Sequence, residues 1–276
     1  MVELTINFGV YGIVHEDENT ELIGSLDSHP TSGKVMYHET LAERLDRKGY
    51  TLEEMEKANL DFMMTVGGDG TILRLLQSGD FNILGINTGR VGFLTSVELA
   101  ELDRALELVN TDRYFIDERI KVKPMLNGKQ RDECTNEIVV HTDRVAKIRG
   151  FEIYQGEKLV DRFRADGLIV STPTGSTCYS MSAGGPIVDP NVDAFIVVPI
   201  SPYKLATKPY VVPIDQEIRV KLTEKGKTCL MVLDGQEEFK VSSEDDIRFV
   251  KGEDKAKFIR FEKDFYKNIR KKLVWK

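Results

Sequence analysis

A glycine-rich turn with one carboxylate in it carries the strongest chemical signal in the sequence. Residues 65–71 read Thr-Val-Gly-Gly-Asp-Gly-Thr and lie between an apolar run and a helical pattern. Glycines at such a turn let backbone N–H groups approach an anion, and the helix start adds its positive dipole end. Asp69 would repel phosphate unless it holds Mg²⁺ or accepts a proton from an attacking hydroxyl, so the turn indicates phosphoryl transfer. A tight turn in which Asp69 only caps the helix is the alternative.

Two further stretches combine glycines with polar side chains after predicted strands. Residues 85–94 read Gly-Ile-Asn-Thr-Gly-Arg-Val-Gly-Phe-Leu, and residues 171–180 read Ser-Thr-Pro-Thr-Gly-Ser-Thr-Cys-Tyr-Ser. Because the carboxyl ends of parallel strands meet at one edge of a sheet, the first stretch could line one crevice with the Asp69 turn. Phe93 could then face a planar ligand, or it could be a core residue. The hydroxyls of the second stretch could hold a ligand against the backbone.

Residue identities exclude three familiar motifs. A P-loop needs a glycine where Ser28 stands and a serine or threonine where Val35 stands. The dinucleotide-binding fingerprint needs a small residue in place of Leu73, and a nucleophile elbow needs a glycine in place of Ser180. The chemistry must therefore come from a less common arrangement.

The elements that must position these stretches follow from hydrophobic periodicity. Strands are predicted over 5–14, 61–66 and 82–86, and helices over 34–48, 71–77 and 97–109. This alternation predicts an α/β nucleotide-binding domain with a mainly parallel sheet over residues 1–112. Strand-like segments separated by turn pairs such as Asp234-Gly235 predict a mainly antiparallel β domain over residues 113–276. Apolar residues at a spacing of four from Phe261 to Leu273 predict a final helix, which could pack back on the first domain.

Composition limits the kind of protein. With 45 acidic and 38 basic side chains in 276 residues, the formal charge of −7 argues against a protein that coats nucleic acid. A hydrophobic fraction of 41% can form a real core. No apolar run approaches the roughly 20 residues that cross a bilayer. Three cysteines without Cys-x-x-Cys spacing indicate neither a disulfide framework nor a zinc cage. We therefore expect a cytoplasmic protein without a nucleic-acid or membrane partner.

Four stretches, taken in order, resemble the signature of NAD kinases. They are residues 67–71, residues 87–94, Asn136-Glu137 and residues 166–179. The similarity extends from about residue 61 to residue 213. Diacylglycerol kinases and phosphofructokinases have similar Gly-Gly-Asp-Gly turns, but the run over 171–177 is far more specific to NAD kinases. The resemblance implies transfer of the γ-phosphoryl group of ATP, or of polyphosphate, to the 2′-hydroxyl of the adenosine ribose of NAD, which gives NADP.

The resemblance also implies residue roles. Asp69 matches the general base proposed for the family, and Mg²⁺ would be held mainly through substrate phosphates, with no protein metal ligand assigned. Phosphate contacts are implied for Gly67, Gly68, Thr71, Asn87, Gly89 and Arg90. Contacts to NAD are implied for Gly70, Phe93, Asn136, Glu137, Arg164, Asp166, Thr174, Thr177, Cys178, Tyr179 and Ser182. Within that set, Asn136 would bind adenine, Glu137 a ribose hydroxyl, and Asp166 the nicotinamide end. NAD kinases are homo-oligomers, so we expect a homodimer or a homotetramer.

Alternatives remain for the roles of single residues and for the function of the protein. Asn136-Glu137 could be only a polar strand end, and Asp166 could belong to a hairpin turn. Tyr179 could be a core residue. A lipid or sugar kinase of the same superfamily is an alternative function, although it leaves the hydroxyl-rich stretch unexplained. A non-catalytic NADP-binding sensor is another, and the presence of Asp69 counts against it.

Overall fold

The computed structural model describes residues 5–12, 17–89, 92–263 and 265–270. The chain divides into two compact units. The first unit comprises Met1–Glu118 and Ala256–Lys276, and the second comprises Arg119–Lys255. The chain passes from the first unit to the second within strand β7 (Phe115–Leu126), and it returns to the first unit within strand β18 (Ile247–Arg260).

The first unit alternates strands with helices. Its other strands are β1 (Ile6–Gly12), β2 (Ser32–His38), β3 (Gly49–Tyr50), β4 (Phe62–Gly67), β5 (Asn82–Asn87) and β6 (Val97–Glu98). Its helices are α1 (Asp17–Gly24), α2 (Glu39–Ala42), α3 (Leu52–Glu56), α4 (Asp69–Ser78), α5 (Leu102–Asn110) and α7 (Phe265–Ile269). Strands pair in the order β18-β5-β4-β1-β2-β3, and each of these pairs is parallel.

Hydrophobic clusters cover both faces of this parallel sheet. Along β4, Phe62, Met64 and Val66 belong to one cluster, whereas Met63 belongs to the other. Helices α1, α2 and α5 contribute to the first cluster, and α3 and α4 contribute to the second. A parallel sheet needs helices on both faces because both faces are apolar. The turns after β4 and β5 therefore lie at the carboxyl edge of a sheet that packing holds on both sides.

The predicted helix over 34–48 is wrong except over Glu39–Ala42. Residues 32–38 form β2, which pairs in parallel with β1. The run Val35-Met36-Tyr37 is rich in strand-forming side chains, and Met36 and Tyr37 are buried in the clusters on opposite faces of the sheet. Helix α2 begins only after His38, whose side chain accepts the Thr40 N–H. Burial on both faces thus overrides the helical spacing that the sequence suggested.

Most other predicted elements of the first unit are confirmed. Strands β4 and β5 and helix α4 match the predictions over 61–66, 82–86 and 71–77. The predicted helix over 97–109 begins later, at Leu102, after β6 and a 3₁₀ turn. The strand predicted over 5–14 is β1 as far as Gly12. The predicted final helix is present as α7 but does not include Phe261, and Leu273 lies outside the described residues.

The second unit is mainly antiparallel β. Its further elements are β8 (Lys129–Gln130), β9 (Glu137–Thr142), β10 (Arg149–Gln155), β11 (Lys158–Ala165), β12 (Gly167–Ser171), α6 (Tyr179–Ser182), β13 (Ala194–Ile200), β14 (Tyr210–Pro213), β15 (Ile218–Leu222), β16 (Thr228–Leu233) and β17 (Glu237–Ser242). One sheet has the order β14-β13-β12-β9-β16-β17. The strands β11-β10-β15-β18, with β7 paired to β18 and β8 paired to β7, are part of the same sheet as the parallel strands. Side chains from both sheets share one hydrophobic core. An α/β unit with a parallel sheet and an antiparallel β unit confirm the predicted fold class.

Candidate active site

The Asp69 turn joins β4 to α4 at the carboxyl edge of the parallel sheet. Gly67 has a φ of +149°, and a Cβ there would lie 2.5 Å from Thr71 Oγ1, so the fold requires glycine. By contrast, a Cβ on Gly68 or Gly70 would meet no described atom within 4 Å. Open space therefore lies beside these two glycines at the start of α4. An anion that binds to backbone N–H groups would need such space.

The Asp69 carboxylate holds the neighbouring turn through three consecutive N–H groups. Oδ2 accepts the Phe93 N–H at 2.6 Å, while Oδ1 accepts the N–H groups of Leu94 at 3.0 Å and Thr95 at 3.2 Å. A Cβ on Gly92 would lie 2.0 Å from Oδ1, so only glycine fits there. We call this arrangement the Asp69 clamp. It brings two glycine-rich stretches together and fixes the backbone of the half-buried Phe93.

Asn87 holds the turn after β5 from within. Its side-chain N–H groups donate to Glu98 Oε2 at 3.0 Å and to the Gly89 carbonyl at 3.3 Å, and its Oδ1 accepts the Gly89 N–H at 3.3 Å. Glu98 was not predicted as a site residue, because its spacing from Asn87 forms no known pattern. A Cβ on Gly89 would meet no described atom within 4 Å. Arg90, a predicted phosphate contact, lies outside the described residues.

A second clamp of the same type lies in the β unit. The Asp234 carboxylate accepts the N–H groups of Thr135 at 2.7 Å, Asn136 at 2.9 Å and Glu137 at 2.9 Å. Asp234 is 6% exposed and lies between β16 and β17 with a φ of +46°. We call this arrangement the Asp234 clamp. Sequence reasoning missed it, because the Asp234-Gly235 pair has the ordinary signature of a hairpin turn.

Asn136 and Glu137 both bury a polar atom that finds no partner among the described residues. These atoms are Asn136 Oδ1 and Glu137 Oε2. Burial, helped by the negative charge of Asp234, raises the pKa of Glu137 to about 8, although the Tyr179 backbone N–H opposes the shift. This shift favours the protonated form of Glu137, which can donate a hydrogen bond. A buried polar atom without a partner costs free energy unless a ligand or water supplies one.

The hydroxyl-rich stretch packs directly against this pair. The Thr172 N–H and the Ser171 hydroxyl donate to the Asn136 carbonyl at 2.9 and 3.2 Å, and the Thr172 hydroxyl donates to the Thr135 carbonyl at 2.6 Å. A Cβ on Gly175 would lie 2.2 Å from the Asn136 carbonyl oxygen, which explains the glycine. The hydroxyls of Ser171 and Thr172 thus hold the segment from 135 to 137.

The predicted NAD contacts that follow this stretch differ in exposure. Thr174 and Thr177 are buried, and the Thr177 hydroxyl donates to the Thr174 carbonyl at 3.3 Å. Cys178 is half-buried, Ser182 is exposed, and Tyr179 is 42% exposed at the start of α6. Tyr179 is therefore not a core residue, and its ring is available to a ligand.

Arg164 and Asp166 lie elsewhere in the same unit. Gly167 pairs with His141 at one end of β12, and Ser171 pairs with Glu137 at the other end. Asp166 is thus separated from the Glu137 end by the length of the strand, about 16 Å. The Arg164 guanidinium lies 3.7 Å from Glu224 Oε1 and lines a cavity of about 550 Å³. The second unit therefore groups Asn136 and Glu137 with residues 171–179, and it places Arg164 and Asp166 apart from them.

Within the described ranges, no group of three or more histidine, cysteine, aspartate or glutamate side chains could hold a metal ion. In the same ranges, no helix is both long enough and apolar enough to cross a membrane.

Comparison with known proteins gives one consistent family. The ATP-NAD kinase N-terminal domain matches residues 7–114, and the ATP-NAD kinase C-terminal domain matches residues 135–261. The NAD kinase of Methanothermobacter thermautotrophicus is 44% identical over 85% of this chain and 83% of its own length.

Two solved structures resemble the chain along nearly its whole length. An NAD kinase from Archaeoglobus fulgidus in complex with ATP has a TM-score of 0.79 and 31% identity, covering 97% of this chain and 98% of its own. A yeast NADH kinase complexed with NADH has a TM-score of 0.83 at 22% identity, covering 98% and 87%, and supports the fold alone. The two family matches and the identity to these relatives show that the chain belongs to the NAD kinase family of enzymes.

Proposed function

We propose that the chain transfers the γ-phosphoryl group of ATP to the 2′-hydroxyl of the adenosine ribose of NAD, which gives NADP. Membership of the family supports NAD as acceptor, and the A. fulgidus relative in complex with ATP supports ATP as donor. Polyphosphate is the alternative donor. Mg²⁺ is the proposed metal.

The unpartnered polar atoms in the β unit carry the proposal. Asn136 Oδ1 can accept a hydrogen bond, and protonated Glu137 can donate one. Each unsatisfied buried group costs about 1–3 kcal/mol, which a ligand with matching groups recovers. An adenosine supplies an amino group for Asn136 and ribose oxygens for Glu137. The acyl chain of a lipid supplies neither, so these atoms favour a nucleoside over a lipid.

Asp69 is the proposed general base. A carboxylate has about four lone-pair positions, and the Asp69 clamp uses two on Oδ1 and one on Oδ2. The remaining position on Oδ2 is open to a hydroxyl. In the proposed step, the 2′-oxygen bonds to the γ-phosphorus, its proton passes to Asp69, and ADP leaves with the electrons of the broken P–O bond.

The glycines at the start of α4 are the proposed phosphate cradle. Gly68 and Gly70 have open space beside them, so an added side chain there would fill the position of a ligand rather than disturb the fold. Asp69 lies between them, and because its remaining lone-pair position is assigned to the hydroxyl, the metal would be held mainly through substrate phosphates and water. When bound, Mg²⁺ would neutralise the charge that develops on the phosphates.

A coupled assay tests the function. Purified protein is mixed with NAD, ATP and MgCl₂, and an NADP-specific dehydrogenase reports the product. We expect NADP formation that stops when EDTA is added. NADP binding without turnover, with either ATP or polyphosphate, would favour a sensor instead. Failure to bind NAD or NADP at all would point to a kinase for a lipid or a sugar.

A further inference from the structure

We propose that Asp234 is a positioning residue for the recognition of the nucleoside. Its carboxylate fixes the backbone of residues 135–137 and so directs the side chains of Asn136 and Glu137 at the adenosine. This inference rests on the proposed function of the same site. Asp234 itself makes no contact with substrate in this scheme and acts through the two residues that it holds.

The main chain of Asn136 is held from both sides. Its N–H donates to Asp234 Oδ1 at 2.9 Å, and its carbonyl accepts the Thr172 N–H at 2.9 Å and the Ser171 hydroxyl at 3.2 Å. The two peptide planes on either side of the Asn136 Cα therefore cannot rotate without breaking hydrogen bonds. Because the Cα–Cβ bond follows the backbone, this restraint sets the direction in which the Asn136 side chain leaves the main chain. The N–H groups on either side, of Thr135 and Glu137, are fixed by the same carboxylate.

An ordinary hairpin turn does not need a buried carboxylate at this position. Aspartates in such turns usually remain exposed, whereas burial raises the pKa of Asp234 to about 6 even though three N–H groups stabilise its charge. Lys121 on β7 lowers that pKa, and the charge of Asp234 in turn raises the pKa values of Cys134 and Glu137. The carboxylate of this costly acid accepts its described hydrogen bonds from this segment, which indicates that the segment must be held in one conformation.

The charge of Asp234 has a second effect on the site. It favours the protonated form of Glu137, the form that can donate to a ribose oxygen. An asparagine at 234 would keep the shape of the side chain but would remove the charge, and its amide group would face N–H donors. Loss of the carboxylate should therefore both loosen the segment and lower the pH at which Glu137 loses its proton.

The test compares Asp234→Asn with Asp245→Asn. Asp245 is a matched control because it also accepts a backbone N–H, that of Ser242 at 2.7 Å, in a different turn of the same unit. For Asp234→Asn we expect the KM for NAD to rise about tenfold while the KM for ATP stays unchanged. The KM for NAD should also begin to rise at a lower pH than in the wild type. Asp245→Asn should leave these values unchanged.

Amide hydrogen exchange supplies a readout that does not depend on activity. The N–H groups of residues 135–137 should exchange about tenfold faster in Asp234→Asn and at the wild-type rate in Asp245→Asn. If Asp234→Asn does not fold, Thr172→Val removes the 2.6 Å bond to the Thr135 carbonyl and should loosen the same segment. It should produce the same rise in the KM for NAD.

The outcomes separate the two proposals. A wild-type protein that makes NADP, together with a folded Asp234→Asn variant whose KM for NAD and exchange rates are unchanged, would overturn the positioning role alone. Faster exchange without any change in the KM for NAD would make Asp234 a purely structural residue. A wild-type protein that makes no NADP would overturn the proposed function, and with it the link from Asp234 to NAD.

Discussion

Two aspartates in this chain have the same structural role. Asp69 accepts the N–H groups of three consecutive residues, 93–95, and Asp234 accepts those of residues 135–137. Each carboxylate fixes a segment that carries predicted ligand contacts, Phe93 in one unit and Asn136 with Glu137 in the other. A carboxylate suits this task because its two oxygens accept several donors and carry no hydrogen that would oppose them.

Asp69→Asn tests the base. Asparagine keeps the shape of the side chain but cannot accept the proton of the 2′-hydroxyl, so we expect turnover to fall by roughly two to four orders of magnitude. Asparagine also weakens the Asp69 clamp that holds Phe93, but the affinity for NAD should change by less than about tenfold, since the other predicted nucleoside contacts lie elsewhere. Steady-state kinetics and calorimetric titration of NAD measure the two quantities. Near-normal turnover would remove Asp69 from the role of base.

Glu137→Gln tests the buried acid through stability. The folded pKa of Glu137 is raised to about 8 from an ordinary value of 4.5, so the folded state binds more protons than the unfolded state between these values. The free energy of unfolding of the wild type should therefore fall by a few kcal/mol as the pH rises through this window. Glutamine does not titrate, so the variant should lack that part of the fall. Urea unfolding at pH 5 and pH 8 measures the difference. Parallel pH profiles for the two proteins would contradict a buried, protonated Glu137.

At the scale of elements, strands β4 and β5 of the parallel sheet were predictable, whereas strand β2 was predicted as part of a helix. Asp61 to Val66 and Asn82 to Ile86 are short, mostly apolar runs flanked by turn residues, and such runs indicate buried strands. Residues 34–48 have helical spacing, yet Val35-Met36-Tyr37 fits between the two hydrophobic clusters as a strand. Whether such a segment forms a helix or a strand depends on packing against residues that are distant in sequence, so local periodicity cannot predict it.

The site was predictable in its glycine-rich stretches and not in the residues that hold them. Gly67-Gly68-Asp69-Gly70 is recognisable because each residue lies next to the others. The contacts from Asp234 to residues 135–137 and from Glu98 to Asn87 join positions with no diagnostic spacing. Only the folded sheets bring them together.

Gly92→Ala tests the Asp69 clamp as an element. A Cβ at this position would lie 2.0 Å from Asp69 Oδ1, so the turn must move and the three N–H bonds must weaken. We expect a loss of about 1–3 kcal/mol in the free energy of unfolding and a fall in turnover of at least tenfold. Gly24→Ala is the matched control, because the added Cβ would make an ordinary contact of 3.6 Å with Leu45. Equal stability of the two variants would show that the clamp is dispensable.

At the scale of the whole molecule, the family resemblance predicts a homodimer or a homotetramer. The segment between β13 and β14 is rich in exposed apolar side chains, with Tyr203 73% and Leu205 91% exposed. Exposed groups of this kind often mark contacts between copies of a chain. Leu205→Glu should shift the protein towards smaller species in sedimentation velocity. Leu159→Glu, at another exposed apolar position, should not. A wild-type protein that sediments as a monomer would contradict the prediction.

The first unit contains both the beginning of the chain and residues from Ala256 onward, and Lys257 and Phe258 of β18 pair with β5 inside it. A ribosome therefore synthesises this partner of β5 only after it has made all of the second unit. Nascent domains generally fold in the order in which they are made, but here the earlier unit must wait for the last segment of the chain. Until then, β5 has unpaired backbone N–H and C=O groups where β18 will pair with it. During synthesis, a strand of another chain could pair with these groups instead.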